Sequence, residues 1–442
     1  MHIRHKKECR VCKSPALTTV IDLQPQHLQG SFVKPDMPTP PLRKLPTQLV
    51  RCDVSAKDGA CGLLQLAHSI PAEILYANYW YRSGTNQTMR DHLRSIVDAA
   101  LAIVGRQPKR AMDIGCNDGT LLNCYPSTVE RWGFDPSDIA QEVKPPINVV
   151  GTVFPSSQGR ARIGDAKFDV ITSIAMFYDL EDPIEFASNI KSYLSDTGIW
   201  IVEMSYMPLM LKMNSFDTIC HEHLEYYSLE VMQHIARAAG LRMFKVELNA
   251  INGGSLRCYL CREDCIKYDD RASSAYISRL QMMEFEALLD TDAPYAAFQE
   301  RIERLRDEMS ALMDKIRARG ETVHVYGAST KGNVLLQWYN IDHFKVPYAA
   351  DRNPQKSGAT TLGTNIKIIS EEESRAMKPD YYLVLPWHFR KEFIAREADT
   401  IRAGTKMLFP LPEIDVVDAS NLDEKLKAAE MTPAYLEQLL GL

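Results

Sequence analysis

The tripeptide His221-Glu222-His223 sets two imidazoles and a carboxylate side by side, with Tyr226 and Tyr227 close behind. Such residues move protons, hold metals or cap turns. Metal ligation fits the spacing poorly. The histidines are two apart and in a strand would share a face. However, the helical zinc-protease pattern H-E-x-x-H is absent, and no third ligand is indicated nearby. A capping turn is a blander reading, since Ser228 is a good N-cap for the periodic run SLEVMQHIARAAG. Acid/base work or substrate contact is the favoured one. A histidine of near-neutral pKa takes a proton, and an adjacent glutamate sets its tautomer and supports the imidazolium.

A second signature is Asp113-Ile114-Gly115-Cys116-Asn117-Asp118-Gly119. Glycines after a strand let backbone approach a ligand, and the next helix offers free N–H groups. A dinucleotide site asks for G-x-G-x-x-G. Here the spacing is G-x-x-x-G, and acids Asp113 and Asp118 flank it. Carboxylates disfavour a pyrophosphate and suit a cofactor carrying an ammonium. S-adenosylmethionine carries both an ammonium and a sulfonium. The next strand ends in Gly133-Phe134-Asp135, about 20 residues on, where a carboxylate can accept both ribose hydroxyls. S-adenosylmethionine at Asp113, Gly115, Asp118, Gly119 and Asp135 is expected over a dinucleotide or an unliganded turn.

Cysteines supply the third signature. Cys9-x-x-Cys12 is followed by Cys52 and Cys61, and the segment around them is proline-rich with little periodicity. Four thiolates from two loops close a tetrahedron around zinc and would order such a segment. A closed site of that kind is structural. Cys258, Cys261 and Cys265 have the wrong order for an iron–sulfur run and read as buried thiols. A second glycine loop, Tyr326-Gly327-Ala328-Ser329-Thr330-Lys331-Gly332-Asn333, resembles a phosphate cradle without matching the P-loop pattern. Lys331, Ser329 and Asn333 would there hold the diphosphate of a substrate. Alternatively the loop is a plain βα turn whose lysine supports a domain interface. Trp387-His388 is a substrate contact or a packed corner.

These residues need elements to position them. The 442 residues are 45% hydrophobic and 24% charged, ordinary for a globular chain with domains of roughly 100–200 residues. A net charge of −6 disfavours a nucleic-acid partner held through a basic surface. No apolar run approaches the ~20 residues of a membrane helix, and MHIRHKKECR lacks the apolar core of a signal peptide. A cytoplasmic protein without membrane partners is expected, and its ten cysteines then suggest metal ligands or buried thiols before disulfides. Residues 1–75 read as a zinc-binding domain. Residues 76–265 alternate strand and helix, through RAMDIGCNDG, VERWGFDPS, FDVITSIAMFYDL and GIWIVEMSY, which implies a doubly wound, mostly parallel sheet. GLRMFKVELNAINGGSLRCYLCR adds two strands at its far edge. Residues 266–320 form charged linking helices ending at Gly320, and 321–442 form a second Rossmann-like unit with a helical tail.

Taken in order, CxxC…C…CGLLQL, YWYRSGTNQTMRDH, DIGCNDGTLL, GFDPS, FDTICHEHLEYYSL, NGGSLRCY and YGASTKGNVLLQ resemble the S-adenosylmethionine-dependent sugar C-methyltransferases. That family is best known for 3-C-methylating nucleotide-linked 4-keto-6-deoxy sugars. The resemblance spans nearly the whole chain. It implies an α/β protein: a small N-terminal zinc-binding domain, a central class I methyltransferase domain and a Rossmann-like C-terminal domain, with the sugar nucleotide between the last two. It implies zinc on Cys9, Cys12, Cys52 and Cys61, and cofactor contacts from Gly115, Asn117 and Asp135. Glu222 and His223 match the family's catalytic pair, and Tyr81 matches a tyrosine lining its substrate site. Two positions depart: Phe177-Tyr178-Asp179 stands where a histidine is frequent, and Cys220 stands where a tyrosine is found.

Methylating carbon needs a carbon nucleophile, formed when a base removes a proton next to a ketone. His223 is the expected base, with Glu222 its partner or a second acid/base. His221 holds the loop or contacts the acceptor. Tyr81, Tyr178, Tyr226 or Tyr227 would donate to the enolate oxygen. An O- or N-methyltransferase on another small molecule is the alternative, and a zinc-bearing scaffold without catalysis is a more distant one.

Overall fold

The computed structural model describes residues 3–56, 59–75, 80–105, 107–428 and 431–442. The expected boundary at 75/76 therefore falls beside residues outside the description, as does Tyr79 of the YWY segment.

The central sheet has seven strands: β1 Arg110–Ile114, β2 Glu130–Phe134, β3 Asn148–Val150, β4 Phe168–Ile174, β5 Leu194–Ser205, β6 Leu241–Asn249 and β7 Ser255–Arg262. Their spatial order is β6-β7-β5-β4-β1-β2-β3. Strands β1 to β5 run parallel, and β7 is antiparallel to both β5 and β6. Chain order reverses between β1 and β4, so the ligand crevice lies beyond their C-terminal ends. The two ends lie close: a methyl at Gly115, whose φ is 77°, would stand 3.0 Å from Met176 Cγ.

Helix α1, Gln87–Val104, buries Met89, Leu93, Ile96, Val97, Ala100 and Val104, the three-to-four spacing of one apolar stripe. Its His92 pairs with Glu203 of β5 at 2.5 Å, and Arg257 of β7 pairs with the other Glu203 oxygen at 2.7 Å. Burial opposes ionisation of Glu203, but these two partners hold its carboxyl down to about 2.

One expected element is shorter than anticipated. After Gly119 the chain makes only a 3-10 turn, Leu122–Cys124, instead of opening a helix. Pro126 follows within one turn, and a proline both lacks the N–H and pushes its predecessor out of the helical region. The charged linking stretch is two helices, Arg271–Glu286 and Ala293–Ala318, the second begun by Pro294 in its first turn.

The C-terminal sheet is also parallel at its centre, with β8 Val323–Tyr326, β9 Tyr348–Asp351, β10 Lys367–Ser370, β11 Tyr381–Val384 and β12 Lys406–Phe409 ordered β12-β11-β8-β9-β10. Helix α2, Thr330–Trp338, follows β8 and is capped by Ser329.

Two short strands cross between these units. Glu225–Tyr226, just after the His-Glu-His turn, is the edge strand of the four-stranded N-terminal sheet and pairs with Leu64–Leu66. Phe32–Val33, from the proline-rich segment, is the edge strand of the C-terminal sheet and pairs with Thr360–Thr361. One buried apolar cluster accordingly runs from Cys9 through Trp200 and Tyr227 to Leu440. Among the described residues no helix is long and apolar enough to cross a membrane.

Candidate active site

At the cofactor turn, Asp113 lies buried one residue before the end of β1, and Thr172 Oγ1 donates to its Oδ1 at 2.6 Å. Burial, with the nearby charge of Asp135 adding, raises the Asp113 carboxyl to about 7. A cation placed beside it would return it to the ionised form. Asp135 accepts the Asn117 N–H at 2.8 Å and the Ser137 N–H and hydroxyl at 2.8 and 2.5 Å. Oδ1 takes both Ser137 donors and Oδ2 only the Asn117 N–H, so Oδ2 keeps a lone pair that can accept a ribose hydroxyl. Asn117 and Asp118 act as clamps. Asn117 Oδ1 accepts the Ser83 N–H and its Nδ2 donates to the Tyr81 carbonyl, both at 3.0 Å, while Asp118 Oδ2 accepts the Gly84 N–H at 2.8 Å. The segment Tyr81–Gly84 is thereby pinned across the turn that Gly115 and Gly119 shape. The Tyr81 ring keeps 48% of its surface, but surrounding protein still lifts its phenol to about 12.

Opposite this turn stands the His-Glu-His turn. His223 Nδ1–H donates to the Thr218 carbonyl at 2.7 Å, which makes Nε2 the free acceptor of the neutral ring. The Tyr178 ring lies on it, centroids 4.2 Å apart. Glu222 and His223 are half-buried, yet protein encloses them closely enough for burial to govern both. Burial raises the Glu222 carboxyl to about 7. Burial, and then the Lys331 ammonium, lower the His223 imidazole to about 3. The carboxyl is thus the member of the pair raised toward neutrality, and the imidazole is the one held neutral. A histidine beside a fixed cation cannot easily gain a second charge.

His221 lies apart from this pair. Fully buried, it donates Nε2–H to the Pro46 carbonyl at 3.1 Å, and its backbone N–H donates to Gln29 Oε1 at 3.2 Å. Of its two expected roles, the structure places it in holding the loop. Tyr226 is likewise committed to backbone, its hydroxyl donating toward the carbonyls of His223 at 3.2 Å and Thr218 at 3.4 Å.

The second glycine loop is arranged for packing rather than for a phosphate. Asp351 accepts the Ala328 N–H at 2.8 Å, so a carboxylate already occupies the turn. Ser329 Oγ caps α2 through the Gly332 N–H at 3.0 Å. Asn333 Nδ2 donates to the Gln29 carbonyl at 2.6 Å. Lys331 leaves the loop altogether. Its Nζ donates to the Asn252 carbonyl at 3.1 Å, and its charge acts on Asp217, His223 and His388. Trp387 Nε1 donates to Asp217 Oδ2 at 2.9 Å. Asp217 and Gly30 carried no spacing signal, and His388 stood undecided; tertiary contacts bring Asp217 and His388 near Lys331 and Gly30 against Glu222.

In the N-terminal segment, the Sγ atoms of Cys9, Cys12, Cys52 and Cys61 lie within 4.8 Å of one another. Cys61 and Cys9 share protons with Cys52 and hold its thiol far below the usual range, while Cys9 and Cys61 are raised in turn. Four clustered sulfurs fit a Zn²⁺ ion with no open position, a structural site.

Three family models match the chain in sequence order: a zinc-binding domain over residues 9–76, a methyltransferase domain over 86–246 and a C-methyltransferase C-terminal domain over 250–412. The curated relative "C-methyltransferase NovU" from Streptomyces niveus is 27% identical over 431 residues, 95% of this chain and 99% of that protein. Solved structures with a partial likeness include the plantazolicin methyltransferase BpumL in complex with SAH, 14% identical over 38% of this chain and 82% of that chain, with a TM-score of 0.32. Another is an S-adenosylmethionine-dependent methyltransferase from Clostridium acetobutylicum, 11% identical over 43% of this chain and 95% of that chain, with a TM-score of 0.32.

The chain is an S-adenosylmethionine-dependent methyltransferase. Its residues 250–412 match the C-terminal domain of C-methyltransferases, and residues 9–76 match a zinc-binding domain.

Proposed function

We propose that the acceptor is a nucleotide-linked 4-keto deoxysugar, methylated at a carbon next to its ketone. The observation that carries this is the proton-accepting pair itself. Transfer to oxygen or nitrogen needs no carbon acid chemistry, whereas this site holds a carboxyl raised to about 7 beside a neutral imidazole of fixed tautomer. Asp113, Gly115, Gly119 and Asp135 would hold the cofactor, whose ammonium suits the buried Asp113. When bound, S-adenosylmethionine supplies an electrophilic methyl on a sulfonium.

Glu222, ionised, takes the proton from the carbon next to the ketone and later releases it to solvent. His223 Nε2 accepts a hydrogen bond from an acceptor hydroxyl and so orients the sugar. The Lys331 ammonium stabilises negative charge as it develops on the ketone oxygen. Tyr178 packs the ring of His223 in place. The relative's description as a C-methyltransferase and the three domains matched over 9–76, 86–246 and 250–412 support the reading.

The test is hydrogen exchange. A nucleotide-linked 4-keto sugar incubated in D₂O with the enzyme, without S-adenosylmethionine, is expected to take up deuterium next to the ketone, and the Glu222→Gln variant is expected to stop this. Bound keto sugar that acquires no deuterium would falsify the mechanism.

A further inference from the structure

The zinc-bearing N-terminal segment reaches the Glu222 side chain. Gly30 lies so close that a methyl on its Cα would stand 1.7 Å from Glu222 Oε1 and 2.9 Å from Cδ. The backbone at Gly30 is not in the left-handed region, so no conformational demand selects glycine there. The reason for glycine is space for the carboxyl. The same loop is clamped immediately before Gly30, from two directions. Gln29 Oε1 accepts the His221 N–H at 3.2 Å, and the Gln29 carbonyl accepts Asn333 Nδ2 at 2.6 Å. Gln26 and Leu45 exchange backbone hydrogen bonds of 2.8 and 2.7 Å behind it. Gln29 is 1% exposed, so this is a built contact between three parts of the chain.

We propose that Gly30, held by Gln29, is a positioning residue that seats the Glu222 carboxyl against the N-terminal segment, so that this segment forms a wall of the active site. The inference rests on the reading of Glu222 as proton acceptor. The N-terminal domain then has a second task beyond folding around zinc. Gly30 shields one edge of the carboxyl from water and fixes where its oxygens point. A side chain at residue 30 would push the carboxyl aside, and misplacement by about 1 Å is enough to cost on the order of 100-fold in rate.

A double-mutant cycle tests this. Gly30→Ala is expected to lower kcat about 100-fold while the S-adenosylmethionine Kd and the melting temperature hold. The acidic limb of its kcat–pH profile should move to lower pH as the displaced carboxyl meets water. In a Glu222→Ala background the added methyl has room, and Gly30→Ala should then change the residual rate less than about twofold if it acts only through Glu222. Additive losses overturn the positioning role, as does a near-wild-type Gly30→Ala with an unmoved pH limb. If Gly30→Ala alone is insoluble, recovery of soluble protein in the Gly30→Ala/Glu222→Ala double variant supports the contact, and continued insolubility counts against it. An active Glu222→Gln enzyme is a separate outcome: it removes the proton-acceptor reading and the inference with it.

Discussion

The indole N–H of Trp387 donates to Asp217 Oδ2 at 2.9 Å, joining the loop after β11 of the C-terminal sheet to the turn that precedes His221-Glu222-His223. Both side chains are buried. The bond ties the C-terminal sheet to the segment that leads into the His221-Glu222-His223 turn. Burial raises the Asp217 carboxyl, with the Lys331 ammonium and the Trp387 donor opposing. Trp387→Phe keeps the ring volume of this corner only in part and removes a donor to a buried acid. A loss of about 1–3 kcal/mol in unfolding free energy is expected by denaturant titration. A variant as stable as the wild type would show that the seam does not depend on this bond.

Lys331 should act on the acceptor and not on the cofactor. Its ammonium is held by the Asn252 carbonyl and faces the side of the site where His223 and His388 stand. Lys331→Met is expected to reduce kcat/KM for the acceptor by roughly 100-fold or more, the scale of one lost oxyanion donor. Calorimetry should find the S-adenosylmethionine Kd unchanged. With the cation gone, the His223 imidazole should titrate at higher pH in NMR spectra.

Cofactor affinity should depend on pH through Asp113. Its carboxyl sits at about 7 in the free protein, so below pH 7 it is protonated and neutral. A cationic ligand prefers the carboxylate. Affinity should therefore weaken by about tenfold per pH unit below 7 and be full above it. The ligand's own α-amino group loses its proton from about 7.7–8.0, so the tightest binding is expected between roughly pH 7 and 8. Asp113→Asn should weaken binding and erase the acidic limb in calorimetric titrations at several pH values.

Catalysis at saturating cofactor should report Glu222. The group must be ionised to accept a proton, and its raised value of about 7 means that kcat falls about tenfold per unit as pH drops below 7. Glu222→Gln should lose about 10²–10⁴ in kcat. His223→Ala should lose activity but keep the acidic limb. A wild-type limb near pH 3–4 would instead assign the proton to His223.

The zinc loops should be felt through Arg10. This residue lies between Cys9 and Cys12, is 1% exposed, and donates to the Leu66 carbonyl at 2.7 Å, the His68 carbonyl at 3.1 Å and Ser69 Oγ at 2.9 Å. Its Nε stands 3.9 Å from Glu225, which is as deeply buried. Arg10→Ala would leave these buried acceptors without their donor, and a loss of about 1–3 kcal/mol is expected in denaturant titrations. Stripping metal with a chelator should lower the melting temperature for the same reason. A chelated protein that melts unchanged would remove the structural role of the four thiolates.

Local pattern alone announced much of this protein. The acid-flanked glycine turn at Asp113–Gly119 and the acid at Asp135 were legible because a strand, a tight turn and a second strand must follow one another in sequence. The four cysteines were legible for a similar reason: metal ligands of fixed type are recognisable without knowing what lies between them. Cys258, Cys261 and Cys265 are buried thiols, as their order and the small apolar character of free cysteine implied, and they lie on and just after the second of the two expected edge strands. The missing helix after Gly119 was a local matter too, settled by Pro126.

What sequence did not contain is which distant groups meet. Nothing near His221-Glu222-His223 announces that Gly30, Lys331 and Asp217 stand around it, or that Glu225–Tyr226 completes the N-terminal sheet. Ionisation depends on those meetings. His223 has the intrinsic pKa of a base and Glu222 that of an acid already ionised, so residue type alone favoured the histidine. Enclosure reverses the order, because burial penalises whichever form carries charge, and the Lys331 ammonium adds to the penalty on the imidazole. Sequence determined the fold, the acid-flanked glycine turn and the adjacent Glu222-His223 pair. Tertiary structure decided how that pair ionises, because only the packed chain sets the local dielectric and brings a cation to one side of it.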